Sequence, residues 1–421
     1  MAEPLLADSS STPVAPSSHG LLRRVATAFI YRDFRVLWFG ACTSSIGTWM
    51  QSVAENWLVL TLTGSAFFLG LDAFLAQLPI MLFTLIGGVV ADRRDRRAVL
   101  LTSQYIQMTT AFTLAGLVYW HVVHIWHVLA LSFITGCAQA FGGPAYQSLI
   151  PSLVEKRDLP NAIALNSIQF NLARVIGPLL AGLALVAFGT VSCFTLNGLS
   201  FLAVIAALMS LHIKHVAPVN TRPILHELRS GLGYVRDEGA LLVLTVVAFA
   251  TTFLGTPLLT LLPVVAQKVF NQGVGQYSRM MAFSGTGAVI GALVVAGLGR
   301  FRRMATTALV VQIAFGALIA GFAASRVMWV SELLLFAAGA ALMVLFSSVT
   351  SLVQLIAPNE MRGRVMSIYM VAFRGGMPLG SLASGYLANR TSAPIALATN
   401  GGLLILVACY VLLRSKEMRK L

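Results

Sequence analysis

Apolar runs of about twenty residues recur along nearly the whole chain, each closed by a short polar or basic stretch. A helix rising 1.5 Å per residue needs about 20 such residues to cross a hydrocarbon layer. The runs predict twelve spans, over 36–60, 67–91, 98–120, 126–150, 161–188, 193–213, 240–265, 278–299, 304–324, 328–356, 364–388 and 394–414. Two segments break the rhythm. Residues 1–20 are rich in Ser, Pro and Ala with no apolar period, which predicts a disordered tail. No charged start leads into a short apolar stretch with a cleavage site, so the first span is expected to act as its own targeting signal. Residues 214–239, between spans 6 and 7, carry Pro218, Pro223 and the apolar spacing Leu225, Leu228 and Leu232. They predict a cytoplasmic linker with a short amphipathic helix.

The basic residues test this layout. With the N-terminus inside, 23 of the 29 Lys and Arg fall in inside segments, among them Arg23, Arg35, Arg93, Arg94, Arg96, Arg97, Arg300 and Arg414. Only Lys268, Arg279, Arg326 and Arg390 fall outside, and Arg174 and Arg374 fall within spans. An even span number and this bias agree with one another and place both termini in the cytoplasm.

Composition then closes off other classes. The 421 residues are 57% hydrophobic and 10% charged, against about 25% charged in an average soluble domain. The net charge of +14 would suggest nucleic acid in a soluble protein. Here it sits in loop clusters without interleaved aromatics, so no nucleic-acid partner is expected. Cys42, Cys137, Cys193 and Cys409 lie in apolar stretches and read as small hydrophobic residues.

The chain repeats itself. Span 5 carries Arg174-Val-Ile-Gly177-Pro178, and span 11 carries Arg374-Gly-Gly-Met-Pro378, 200 positions later. Gly88-Val-Val-Ala-Asp92-Arg93, between spans 2 and 3, has a degenerate echo at Gly297-Leu-Gly-Arg300 between spans 8 and 9. The expected organisation is an all-α membrane protein of two pseudo-symmetric six-helix bundles. A tail (1–30), a first bundle (31–213), the linker (214–239), a second bundle (240–414) and a tail (415–421) follow.

These motifs carry a family resemblance. Gly88-x-x-x-Asp92-Arg93-x-x-Arg96-Arg97 resembles the loop 2–3 signature of the major facilitator superfamily, with Asp95 where the signature has Gly. Gly177-Pro178-Leu-Leu-Ala-Gly182 is similar to the tail of the helix-5 motif of that family's antiporters. Ser167, Asn171 and Arg174 stand where upstream glycines would be. With Arg32-Asp-Phe-Arg35 and Arg362-Gly-Arg364 through Gly380, residues from about 30 to 415 look most like the bacterial branch of enterobactin exporters and macrolide efflux proteins. The resemblance implies the major facilitator fold, alternating access, a place in the bacterial inner membrane and function as a monomer. It also implies that Gly88, Asp92, Arg93, Arg96 and Arg97 form a gating motif that locks the cytoplasmic side in one conformer. Positive-inside anchoring accounts for the arginines without gating. Asp92 is left to cap a helix or to pair with a loop arginine.

Charged residues inside spans are the candidate site. Arg174 and Arg374 lie about 15–20 Å deep at 1.5 Å per residue. They either line a central cavity and meet a polar or anionic substrate, or they snorkel or bond carbonyls freed by Pro178 and Pro378. Glu55 and Asp72 lie about eight residues either side of the turn at 62–65, so at similar depth. Close carboxyls in a span suit picking up a proton on one side and releasing it on the other; the alternative is that water reaches both near the outer surface. Gln51, Gln77, Gln139 and Asn171 are further candidates for the substrate and proton pathway. Asn56, Asn166 and Gln169 join them as polar cavity residues, or else glue helices together. Glu332 is expected to pair with Arg326 at the outer rim. His121, His124 and His127, flanked by Trp120 and Trp126, fit an interfacial belt better than a metal site.

No ATP-binding loop, zinc-protease or serine-hydrolase motif occurs, and no cofactor is expected. The expectation is a secondary transporter exporting a small organic molecule, such as a drug, macrolide or siderophore, against inward-moving protons. An uncoupled facilitator or lipid flippase is the alternative, and a membrane-embedded enzyme comes after it.

Overall fold

The computed structural model describes residues 27–211, 232–298 and 303–415. Most of the linker, with Pro218, Pro223, Leu225 and Leu228, and the echo at Arg300 lie outside the described residues, as does the side chain of Asp92. Among the described residues there are no strands.

The first half runs α1 (Arg32–Thr63), α2 (Ala66–Arg93), α3 (Arg96–Tyr119), α4 (Ile125–Leu149), α5 (Leu159–Phe188) and α6 (Thr190–Ser210). The second runs α7 (Gly239–Gly255), α8 (Val274–Leu298), α9 (Met304–Ala324), α10 (Met328–Ile356), α11 (Arg362–Arg390) and α12 (Ala393–Arg414). The span expected over 240–265 is not one helix. After Thr256 the chain restarts as Pro257–Val264 and ends in a π turn, Val265–Val269. Pro257 has no N–H to continue the ladder, which explains the break.

Short turns with matched caps set the alternation of direction. Gly64 closes α1 at φ 62°, its N–H bonding Leu60 O, and Ser65 Oγ accepts from Phe67 N at 3.2 Å to start α2. Asp95, the departure from the signature, caps α3: its Oδ1 accepts from Arg97 N at 3.0 Å. Glycine could not supply that acceptor. Ser392 starts α12 in the same way.

Among the described residues, nine helical stretches are long and apolar enough to cross a membrane. The helices of adequate length that fall short in apolar character are α1, α3 and α11. Each carries polar residues of the interior, such as Glu55, Gln107 and Arg374.

The core shows how the halves meet. At the end opposite Arg93–Arg97, one continuous apolar cluster joins Val53, Leu58 and Leu69 of the first half to Leu261, Met280 and Leu335 of the second. At the basic end each half has its own cluster, one around Leu37, Leu149 and Phe201, the other around Leu244, Leu309 and Leu352. Three hydrogen bonds between the halves among the described residues also fall at the far end: Asn56 Nδ2 to the Tyr277 hydroxyl (3.3 Å), Ser65 Oγ to Asn389 Oδ1 (2.8 Å) and Lys268 Nζ to Gly64 O (2.7 Å). Glycines permit this closeness, since a methyl at Gly385 would lie 2.8 Å from Ala66 O. The halves are clamped at the far end and part toward the basic end.

Candidate functional site

Two sets of charged side chains sit within the helices. The first is an acid pair inside the N-terminal half. Ser132 Oγ of α4 lies 2.6 Å from Glu55 Oε1 of α1 and 2.6 Å from Asp72 Oδ1 of α2. It also lies 2.9 Å from Val128 O, one turn back on its own helix. Gln51 Nε2 donates to Glu55 Oε2 at 3.3 Å, and Asn197 Nδ2 of α6 donates to Gln51 Oε1 at 2.6 Å. Four helices thus meet in one polar chain. Asp72 is buried and Glu55 half-buried.

A hydroxyl has one hydrogen to donate. Three oxygens surround Ser132 Oγ, and the Val128 carbonyl can only accept. Whichever oxygen takes the serine hydrogen, a hydrogen bond to the remaining carboxyl needs a proton on that carboxyl. The geometry therefore accommodates at least one proton on the pair, passed between two acids through one hydroxyl. Sequence reasoning placed Glu55 and Asp72 at equal depth but missed Ser132 and Asn197. A lone serine in an apolar helix gives no local signal; its partners lie 60 and 77 positions away.

The second set is the two arginines. On α5, Gly177 packs against α1, where Trp49 and Ile46 meet it, and Gly182 packs against Ser278 of α8. A methyl at Gly285 of α8 would lie 2.9 Å from Arg174 O. With 100° per residue, Arg174 points between the α1 and α8 sides, toward the interior between the halves. Its guanidinium carbon lies 5.8 Å from the Trp49 ring centre, a cation–π contact. On α11, Phe373 packs on Phe346 of α10 with centroids 4.6 Å apart, and Gly375 faces Met81 of α2. Arg374 falls between those two sides and also looks inward. Neither guanidinium has an acidic partner or a hydrogen bond among the described residues, so neither takes the carbonyls near Pro178 or Pro378.

The other candidates divide. Gln169 bonds Ala41 O and Ser45 Oγ, and Asn166 accepts from the Tyr146 hydroxyl, so both bind helices together. Asn171 Nδ2 donates to Ser167 O, while its Oδ1 is buried without a partner. Gln139 is exposed on the face of α4 that carries Ser132, two turns nearer the basic end, and Gln77 is half-buried without a polar contact among the described residues. One expectation is corrected. Glu332 pairs with Arg279 of α8 at 2.6 Å and with Gln276 at 2.7 Å, not with Arg326. Arg326 instead donates to the carbonyls of Ala323 and Ser325 at the end of α9, where a cation suits the helix terminus. His127 Nδ1 accepts from His124 N, and no group of metal-ligating side chains occurs among the described residues.

At the basic end, Arg97 donates to Met209 O (2.7 Å) and Leu211 O (3.3 Å), capping α6, and Arg96 donates to Ser148 O (3.0 Å) at the end of α4. Arg93 is exposed, and around Gly88 there is open space. Tyr31, just before α1, donates to Asp158 Oδ2 at 2.7 Å; that acceptor holds its phenol proton above the ordinary tyrosine range.

Two six-helix halves with charged groups on their inner helices define a multi-pass membrane transporter of the major facilitator fold. The chain belongs to the transmembrane secretion effector family of that superfamily, which it matches over residues 26–420. It is 25% identical to the staphyloferrin A transporter of Staphylococcus aureus, covering 80% of this chain and 85% of that one. It is 24% identical to macrolide efflux protein A of Streptococcus pyogenes, covering 92% and 97%. Among solved structures, the nucleoside transporter NupG superposes with a TM-score of 0.72 at 13% identity, covering 91% of this chain and 99% of that one. The family places the protein in the efflux branch and among transporters, not enzymes.

Proposed function

We propose that the protein is a proton-coupled exporter of a small organic molecule, working as a monomer in the bacterial inner membrane with both termini in the cytoplasm. The observation that carries this reading is the single Ser132 hydroxyl between the carboxyls of Glu55 and Asp72. A pair that shares a proton through one hydroxyl is a carrier that loads and unloads as a unit. The relatives that transport staphyloferrin A and macrolides support a small organic cargo. The basic loops support a cytoplasmic open end, and this is then the conformer that would admit cargo from inside. The gate would be the 88–97 segment, with Arg96 and Arg97 holding helix ends in register. Substrate would line up along Gln77, Gln139, Asn171 and the two arginines. Rocking the halves about this region then exchanges cargo for a proton.

The test is proton movement into proteoliposomes holding a pH dye, with siderophores and macrolides added in turn. Cargo-dependent proton flux that is lost in Glu55→Gln and Asp72→Asn is the expected result. Cargo crossing without any proton flux would replace this reading with an uncoupled facilitator.

A further inference from the structure

The acids set deep in the helices among the described residues, Glu55, Asp72 and Glu332, are accounted for, and the two inward-facing arginines are not. Glu55 and Asp72 are held by Ser132 and Gln51, and Glu332 is held by Arg279. Arg174 is fifteen residues from the start of α5 and fourteen from its end, about 22 Å from either at 1.5 Å per residue. Arg374 is twelve residues from the start of α11 and sixteen from its end, about 18 and 24 Å. Both therefore sit near the middle of the membrane. They occupy equivalent places in the two halves, each four residues before a proline, and both face the interior. Two unneutralised guanidinium groups are costly at that depth. Water in the open gap and the Trp49 ring answer part of that cost, and an anion entering the gap would answer the rest.

We propose that Arg174 and Arg374 are the two sides of an anion site, and that the cargo is an organic polyanion whose carboxylate or phosphate groups engage both. Guanidinium is always charged, and its planar fork matches an oxyanion in two parallel hydrogen bonds. Trp49 beside Arg174 gives the cargo an apolar wall, and the unpartnered Oδ1 of Asn171, one turn away on α5, accepts from a hydroxyl of the cargo. The division of labour is plain: acids in the first half handle the proton, and arginines facing the gap between halves handle the anion. This inference rests on the transport reading above, and it excludes a purely cationic drug as the natural cargo.

The experiment uses the full-length protein in nanodiscs. Binding of citrate, benzene-1,3,5-tricarboxylate and inorganic phosphate is measured by titration calorimetry, with triethyl citrate as the uncharged control and erythromycin as the cationic one. At least one anion binds, and Arg174→Gln and Arg374→Gln each weaken it about tenfold or more, the scale of a lost charge-assisted pair. Arg174→Lys and Arg374→Lys, which keep charge and fold, retain part of the affinity. Binding of no anion by the wild type, or affinities unchanged in both Gln variants, overturns the proposal. The proteoliposome assay separates the two readings. Erythromycin-driven proton flux that is intact in Arg174→Gln overturns the anion site and leaves coupled export standing. Anion binding with no proton flux for any cargo does the reverse.

Discussion

The second and fourth helices of each half carry a polar pair at nearly the same depth, and the two pairs differ in chemistry. Asp72 is six residues into α2 and Arg279 five into α8; Ser132 is seven into α4 and Glu332 four into α10. In the first half an acid meets a hydroxyl that already serves a second acid. In the second half an acid meets an arginine at 2.6 Å. The repeated fold thus supplies the same two facing positions twice and fills them for different ends. A carboxylate held by a guanidinium has its charge answered by its partner. Two carboxyls sharing one hydroxyl have a place for a proton and a partner to pass it to. On the coupling proposed above, ion exchange falls to one half and bracing to the other.

The largest expected effect breaks the comparison at its active side. Asp72→Asn removes one of the two acids, and cargo-dependent proton flux in proteoliposomes falls to the level of empty vesicles. Glu332→Gln, the matched change in the other half, leaves that flux within about twofold of wild type, the scale of a bracing contact that is half exposed. Equal losses in both variants would remove the distinction between the halves. Ser132→Ala comes next. Both acids remain but lose the hydroxyl between them, and the flux falls about tenfold, as for a lost hydrogen bond to a charged group. Ser132→Thr, which restores a hydroxyl, recovers most of it. A smaller effect tests the bracing side. Arg279 is 54% exposed and Glu332 only 10% exposed at their side chains, so solvent screens much of the pair. Arg279→Gln therefore costs about 1 kcal/mol, read as a fall of about 1 °C in Tm of the detergent-solubilised protein.

The fold was legible in the sequence because a membrane imposes a length rule that any apolar run must meet. The spans expected over 304–324 and 328–356 coincide with α9 and α10, and the other ends differ by a few residues. The break after Thr256 was not read, although Pro257 marked it; apolar length outweighed the proline in the reading. Tertiary pairing was harder. Glu332 was assigned to Arg326, its neighbour in sequence, yet the helix face it occupies turns it toward α8. Ser132 had no signal at all, since its importance comes from what α1 and α2 bring to it. Asp95 looked like a defect in a motif until its capping bond to Arg97 N gave it a purpose.

The smallest effect concerns how the halves are held, and it sharpens the comparison by treating them as moving bodies. Lys268, within the π turn that ends the seventh span, donates to Gly64 O at 2.7 Å, at the turn between α1 and α2. It is an exposed contact across the two halves at the end where they are clamped. Gly64 is a helix terminus whose carbonyl has no helical partner, so a lysine there satisfies an orphan acceptor as well as the terminal dipole. Water replaces such a bond at little cost, so Lys268→Ala shifts the balance between the two conformers by about 0.5 kcal/mol, roughly twofold in population. The readout is maleimide labelling of Ala66→Cys, a position buried beside Gly385 of the other half in the clamped state, in a background lacking the four native cysteines. Labelling rises about twofold when Lys268→Ala is added. An unchanged rate would mean that the apolar cluster of Leu58, Leu261 and Leu335 alone holds that end shut, and that the polar contacts between the halves only fix their register.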